Sequence, residues 1–216
     1  MGPGSTVIVT RAPEQIEPLA SRLEAVGLTV VRCPLIRLEP VGPDVVDVEG
    51  YDWVVVTSAF GAHELLRRAS GLLPRVAAIG PGTAAALANG GAEASFVPRL
   101  STQEGLAAEL PRPVGRVLFA GAEGARAHLV ASLDADFVPL YRTVAVRPES
   151  PPAGDLVVLA SASAAESFAA LGLDIPAVSI GPETTRAADV AGVDVVEEAD
   201  PHTLDGLVAA VARAAV

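Results

Sequence analysis

Lysine is absent from this chain; all 15 of its basic side chains are arginines. That removes Schiff-base and pyridoxal chemistry, and also the lysine of a Walker-type phosphate loop. Cysteine is nearly absent too. A single Cys33 rules out an internal disulfide and fits a reducing compartment, so a cytoplasmic location is expected. No apolar run approaches the roughly 20 residues of a membrane helix, and no membrane association is expected. No basic segment followed by an apolar core opens the chain, so no secretory signal is expected, and Met1–Ser5 reads as a disordered lead or expression scar. Aromatics are only 4% of residues and the net charge is -11, which argues against nucleic acid, whose phosphates an acidic surface repels. HExxH, GxSxG and GxGxxG are all missing, so zinc hydrolase, α/β-hydrolase and dinucleotide readings have no anchor. His63, His128 and His202 share no ligand spacing and read as solvated; neither a metal nor a cofactor is expected.

What is present is a repeat. At 216 residues the chain suits one large domain or two small ones. Asp52-Trp53-Val54-Val55-Val56-Thr57-Ser58-Ala59 matches Asp155-Leu156-Val157-Val158-Leu159-Ala160-Ser161-Ala162. Ile79-Gly80-Pro81-Gly82-Thr83 matches Ile180-Gly181-Pro182-Glu183-Thr184, 101 residues later, and the same offset carries Gly91 to Gly192, Thr102 to Thr203 and Gly105 to Gly206. Ala-rich composition can imitate some matches, but not this order of Asp, Ser, Gly, Pro and Thr.

Each copy has a βα rhythm. In the first, strands are expected at Val7–Thr10, Thr29–Arg32, Asp52–Thr57, Val76–Ile79 and Ser95–Val97. Helices are expected over Glu14–Val26, after Thr57 through Leu65 and Leu66, from Gly82 to near Gly90-Gly91, and over Thr102–Leu110 with Thr102 as N-cap. In the second, strands are expected near 117–119, 136–138, 156–160, 177–180 and 194–196. Continuous apolar strands alternating with helices indicate parallel sheets covered on both faces. Trp53 and Cys33 lie on such strands and read as packed; Tyr51 reads as loop packing.

Where a crossover helix is expected between the second and third strands, residues 34–50 and 139–154 are Pro-rich and without helical period. Their starts, PLIRLEPV and PLYRTVAV, have extended character. The expected fold is α/β, with two doubly wound parallel-sheet domains joined by a two-stranded β connector at 34–41 and 139–146. Domain one would be residues 1–37 plus 147–216, and domain two residues 38–146.

The ordered set VIVTRA, VVVTSAFG at 54–61, IGPGTA at 79–84, STQEGL at 101–106, PLYRT at 139–143, VVLASASA at 157–164 and IGPETT at 180–185 resembles the uroporphyrinogen-III synthase family. The likeness spans nearly the whole chain. It implies two flavodoxin-like domains joined by a β-ladder, a monomer, and a site in the cleft between the domains. The implied reaction is cofactor-free cyclisation of hydroxymethylbilane, a linear tetrapyrrole with multiple carboxylates, with inversion of the last pyrrole ring. It also implies that Tyr141 matches the family's tyrosine, placed to donate a proton as the terminal hydroxyl leaves.

A polyanionic substrate suits a chain of net charge -11 only if backbone groups receive it. In doubly wound sheets, ligands collect beyond the carboxyl ends of strands, where helix N-termini offer N–H groups and a favourable dipole. Thr10 and Arg11, Ser58, Gly80, Gly82 and Thr83, Ser161, Gly181, Thr184 and Thr185 all fall on such ends, with Arg11 a bidentate carboxylate clamp. The bland alternative is that the Ser and Thr residues only cap helices. Gly82 becomes Glu183 in the second copy, so the first loop is expected to admit the substrate closely. In the second, Thr184 and Thr185 are expected to make the contacts while Glu183 points away. A non-catalytic two-lobed binding protein for an anionic ligand would use the same loops, and stays open. A flavodoxin-like regulatory module lacks the acidic strand-end cluster it would need.

Overall fold

Strand formation follows the continuous apolar runs, and Ser58, Gly80, Ser161 and Gly181 start the helices that follow four of the strands. The computed structural model describes residues 4–215, in two compact units: residues 4–38 with 143–215, and residues 39–142. Met1–Pro3, part of the expected disordered lead, lie outside the described residues. Ser5 does not belong to such a lead: it is buried, and its carbonyl accepts the Thr29 N–H at 3.1 Å.

The first unit opens with β1 (Thr6–Val9), α1 (Pro13–Ala25) and β2 (Thr29–Arg32), after which β3 (Ile36–Pro40) leads out. The second unit holds β4 (Val46–Asp47), β5 (Trp53–Val56), α2 (Ala59–Arg68), β6 (Ala69–Ser70), β7 (Arg75–Ala78), α3 (Pro81–Asn89), α4 (Gln103–Glu109), β8 (Val117–Ala122) and α5 (His128–Leu133). β9 (Asp136–Ala145) returns the chain to the first unit. That unit closes with β10 (Leu156–Leu159), α6 (Ala162–Ala169), β11 (Ala177–Ser179), α7 (Pro182–Val190), β12 (Val195–Glu198) and α8 (Leu204–Ala214).

One five-stranded sheet has the order β12-β11-β10-β1-β2, and the other β3-β9-β8-β5-β7; β4 and β6 form a small parallel pair that the sequence reading did not foresee. In the first sheet every pairing is parallel. β1 shows why its run is apolar throughout. Val7 and Val9 pack with Ile16, Leu19 and Leu23 of α1 and Leu207 and Val211 of α8, whereas Ile8 packs with Phe168 of α6 and Ala188 of α7. Helices therefore cover both faces, and each fully buried aliphatic side chain contributes about 1.5–3 kcal/mol. In the second unit, Trp53, Val55 and Phe119 face α4 and α5 through Leu106, Leu110 and Leu129. Trp53 and Cys33 are packed as expected.

The repeat extends to hydrogen bonds. Thr102 and Thr203 cap α4 and α8 by accepting the N–H groups of Gly105 and Gly206. Both glycines are needed for space: a Cβ would lie 2.4 Å from the Leu100 carbonyl oxygen in one copy and 1.9 Å from that of Pro201 in the other.

The copies part at their fifth strands. The expected strand at 95–97 is reduced to a single bridge between Ala77 and Phe96, while its counterpart β12 is a full strand. Pro98 stands where the second copy has Ala199, whose N–H donates to Ser179 at 2.9 Å. Proline has no N–H to extend the ladder. The expected strand at 136–138 and the segment after it form the one continuous β9, with a register shift where Gly121 and Ala122 face Pro139 and Tyr141.

Candidate active site

Parallel strands place their carboxyl ends along one edge, and each unit gathers its site candidates there. In the second unit Ser58 follows β5 in extended conformation, and its Oγ caps α2 by accepting the Gly61 N–H at 2.9 Å. The same oxygen accepts a hydrogen bond from the Tyr141 hydroxyl at 2.9 Å. Ser58 therefore serves as cap and as partner of the tyrosine. Tyr141 is 7% exposed, with the Phe60 ring edge-on at 5.1 Å. Burial pushes its phenol pKa up, opposed by the Ser58 bond, so the net displacement is upward and the phenol is protonated at neutral pH. A Cβ at Gly61 would sit 3.0 Å from Ser58 Oγ and 3.5 Å from Tyr141 Cε1. Phe60 and Gly61 were missed by sequence reasoning. Their position in the turn after Ser58 was the available signal, but nothing local says which side chain they face.

Gly80 is the N-cap of α3 and has no side chain to satisfy the first turn. Thr83 and Ala84 donate their N–H groups to the Gly80 carbonyl, and Pro81 has none. Gly82 is exposed, and a Cβ added to it would meet nothing within 4 Å. The fold does not require a glycine there, whereas close approach of a ligand to the backbone does favour one. Thr83 is buried. Ser101 lies against Gly80 so closely that a Cβ there would come within 2.6 Å of its Oγ.

In the first unit, β11, β10 and β1 are neighbours, so the loops after them share one edge. Thr10 has no exposed surface, and its hydroxyl donates to the Val158 carbonyl at 2.9 Å. Its side chain ties β1 to β10 and offers a ligand nothing. Arg11 is half-buried, and its guanidinium donates to Gln15 Oε1 at 3.3 Å. No carboxylate among the described residues pairs with it, and burial lowers its pKa. Ser161 caps α6 by accepting the Ala164 N–H. Gly181 is the N-cap of α7, again without a side-chain cap, and packs against His202.

The second Gly-Pro loop differs chemically from the first. Thr184 is buried. The Thr185 hydroxyl bonds Glu198 and lies 2.6 Å from Ser179 Oγ, and Glu198 also lies 3.5 Å from His202 Nε2. In the first copy the counterparts of Thr185, Ser179, Glu198 and His202 are Ala84, Ala78, Val97 and Ser101. Thr185 is thus already committed within its own unit. Glu183 is exposed and pairs with Arg186 at 3.3 Å. Among the described residues no group of three His, Cys, Asp or Glu could hold a metal, and no helix is long and apolar enough to cross a membrane.

Known proteins resemble the chain over almost its whole length. The family model described as uroporphyrinogen-III synthase HemD matches residues 17–209. A uroporphyrinogen-III synthase of Synechococcus elongatus is 27% identical over 251 aligned positions, covering 96% of this chain and 94% of that protein. A crystal structure of a mutant uroporphyrinogen III synthase from the extremely thermophilic bacterium Thermus thermophilus is similar in fold. Its TM-score is 0.61 at 18% identity, with 98% of this chain and 99% of the other covered.

Proposed function

From the premise that the chain belongs to the uroporphyrinogen-III synthase family, we propose how its residues carry out that reaction. It is a cyclising lyase of tetrapyrrole biosynthesis: hydroxymethylbilane loses its terminal hydroxyl and a pyrrole N–H proton as water, and the resulting azafulvene is attacked by the substituted carbon of the last pyrrole ring. The bond from that carbon to its original methylene bridge then breaks and re-forms at the ring's unsubstituted carbon, which gives up its proton, so the ring ends inverted. Closure without the enzyme takes the unsubstituted carbon and gives no inversion. The main task of the protein is therefore to fold the linear chain so that the substituted carbon is the one within reach.

The observation that carries the site assignment is the buried Tyr141 phenol, kept protonated and aimed at Ser58 on the carboxyl edge of the second sheet. Tyr141 assists departure of hydroxide by donating its proton, in a supporting role. The uncapped first turns of α3 and α7 receive substrate carboxylates through backbone N–H groups, closest at Gly82, and Arg11 clamps another. Ser58, Gly80 and Thr83 shape the first loop, and Ser161, Gly181, Thr184 and Thr185 the second. We further propose a cytoplasmic monomer without a cofactor, in which the two units act as flavodoxin-like domains joined through 34–41 and 139–146.

The test supplies hydroxymethylbilane and separates the isomers formed. Uroporphyrinogen III is the expected product; formation of only the type I isomer at the uncatalysed rate overturns the reading. Tyr141→Phe is expected to fold normally and lower turnover about ten- to a hundred-fold. Unchanged turnover removes Tyr141 from the chemistry.

A further inference from the structure

Tyr141 reaches Ser58 only because β9 breaks its own alternation. Phe119 of β8 belongs to the cluster facing α4 and α5, and Phe137 of β9 pairs with it in register, with ring centroids 5.3 Å apart. Side chains alternate with a period of two along a strand, so Pro139 and Tyr141 should follow Phe137 onto that same face. Tyr141 instead meets Ser58, Phe60 and Gly61 at the start of α2.

The register explains the reversal. Gly121 faces Pro139 and the next residue, Ala122, faces Tyr141, so Leu140 is the extra residue of a β-bulge. One inserted residue turns everything after it to the opposite face. In keeping with this, Leu140 and Tyr141 are both buried although adjacent.

At the bulge two groups bind the Leu140 carbonyl, one of them continuing the pairing of β9 with β3. The Leu140 carbonyl accepts the Val41 N–H at 2.9 Å and Arg68 Nη2 at 2.9 Å. Arg68, at the end of α2, is almost wholly buried and also donates through Nη1 to the carbonyls of Val41, at 2.5 Å, and Pro43, at 3.3 Å. Its charge is balanced by the equally buried Glu64, one turn earlier. Burial pushes the Glu64 carboxyl up, but the bonds from Arg67 and Arg68 outweigh it and hold the group below its ordinary value. Gly42, between the two carbonyls, has φ +77°, and a Cβ would lie 2.0 Å from the Pro139 carbonyl oxygen. The loop can approach the bulge only with glycine there.

We propose that the Arg68–Glu64 pair is a positioning device for Tyr141: it holds the bulge at Leu140, and the bulge sets the phenol on the α2 face against Ser58. Helix α2 thereby grips β9 at both ends, through Ser58 at its start and Arg68 at its finish. The link to turnover rests on the proposed role of Tyr141; the link to the phenol's environment does not.

The chain has two tyrosines, so a Tyr51→Phe background isolates Tyr141 for titration by tyrosinate absorbance. In it, Arg68→Met is combined with Glu64→Leu, because removing one member alone strands a buried charge. Arg68→Lys serves as the conservative partner; one ammonium cannot span Glu64 and three carbonyls as the guanidinium fork does. In either folded variant the Tyr141 midpoint is expected to fall towards the ordinary value of 10.0. Turnover of hydroxymethylbilane is expected to drop as far as in Tyr141→Phe, about ten-fold or more, with no further loss when the changes are combined.

An unmoved midpoint in a folded variant overturns the proposal, as does a loss of turnover that multiplies with that of Tyr141→Phe. A lowered midpoint alongside full turnover in Tyr141→Phe upholds the positioning and removes Tyr141 from the reaction instead.

Discussion

Replacing Gly82 by glutamate, the residue of the second copy, should stabilise the protein and impair its action together. Position 82 is the second residue of α3, whose first turn has no acidic side chain. A carboxylate there meets the positive end of the helix dipole, worth about 0.3–1 kcal/mol, and leaving glycine behind adds up to about 1 kcal/mol of helix propensity. Nothing crowds the new side chain, since a Cβ at 82 meets no atom within 4 Å. In α7 the charge of Glu183 is offset by Arg186, whereas the first copy has Ala85 at the matching position, so the new charge would lack that partner. Against a substrate carboxylate about 6 Å away, at an effective dielectric of about 40–80, the repulsion is about 0.7–1.4 kcal/mol. That corresponds to about a three- to ten-fold fall in kcat/KM. The assay measures kcat/KM for hydroxymethylbilane in low and high salt, with Gly82→Gln as the uncharged control, beside thermal unfolding of all three proteins. Salt should restore much of the loss, because screening shortens to about 3 Å at 1 M. If Gly82→Gln falls as far as Gly82→Glu, or salt makes no difference, the loop does not receive a carboxylate and the reasoning fails.

Arg11→Gln should leave stability level or slightly improved, since a half-buried cation without a carboxylate partner among the described residues disappears. Its KM should rise about ten- to a hundred-fold if it clamps a carboxylate, and steady-state kinetics would show no change if it does not. The Tyr141 pKa is raised in the folded state, so its contribution to stability is complete below the unfolded value near 10.0 and is lost as pH rises beyond it. Urea unfolding between pH 8 and pH 11 should show a steeper alkaline loss in the natural protein than in Tyr141→Phe; parallel curves would contradict this. Gly105→Ala and Gly206→Ala should each lower stability by about 1–3 kcal/mol, with Gly206 the worse because its clash is closer. Denaturant midpoints matching the unsubstituted protein would mean that the loops at Leu100 and Pro201 can yield.

Much of the fold was legible because its causes are short-range. The strand β5 and the cap at Ser58 follow from residues within a few positions of one another, as do Thr102 with Gly105 and Thr203 with Gly206. Even the lost fifth strand of the first copy had a local sign in Pro98. The candidate site was legible as a set of strand ends but not residue by residue. Thr10 and Thr185 sit on the correct edge, yet one hydroxyl is bound to Val158 and the other to Glu198 and Ser179.

By itself the sequence determined which segments become strands and helices, that the chain is written twice, and which family's ordered motifs it bears. Those properties depend on hydrophobic period, capping chemistry and the order of residues. Only the tertiary structure decided which polar groups remain open to a substrate and which way Tyr141 points. Those outcomes depend on contacts between distant positions: Tyr141 meets Ser58 83 residues away, and Arg68 holds a carbonyl 72 residues away. The face a strand residue takes is a question of register, and the Leu140 bulge shifts that register without changing the hydrophobic pattern that formed the strand.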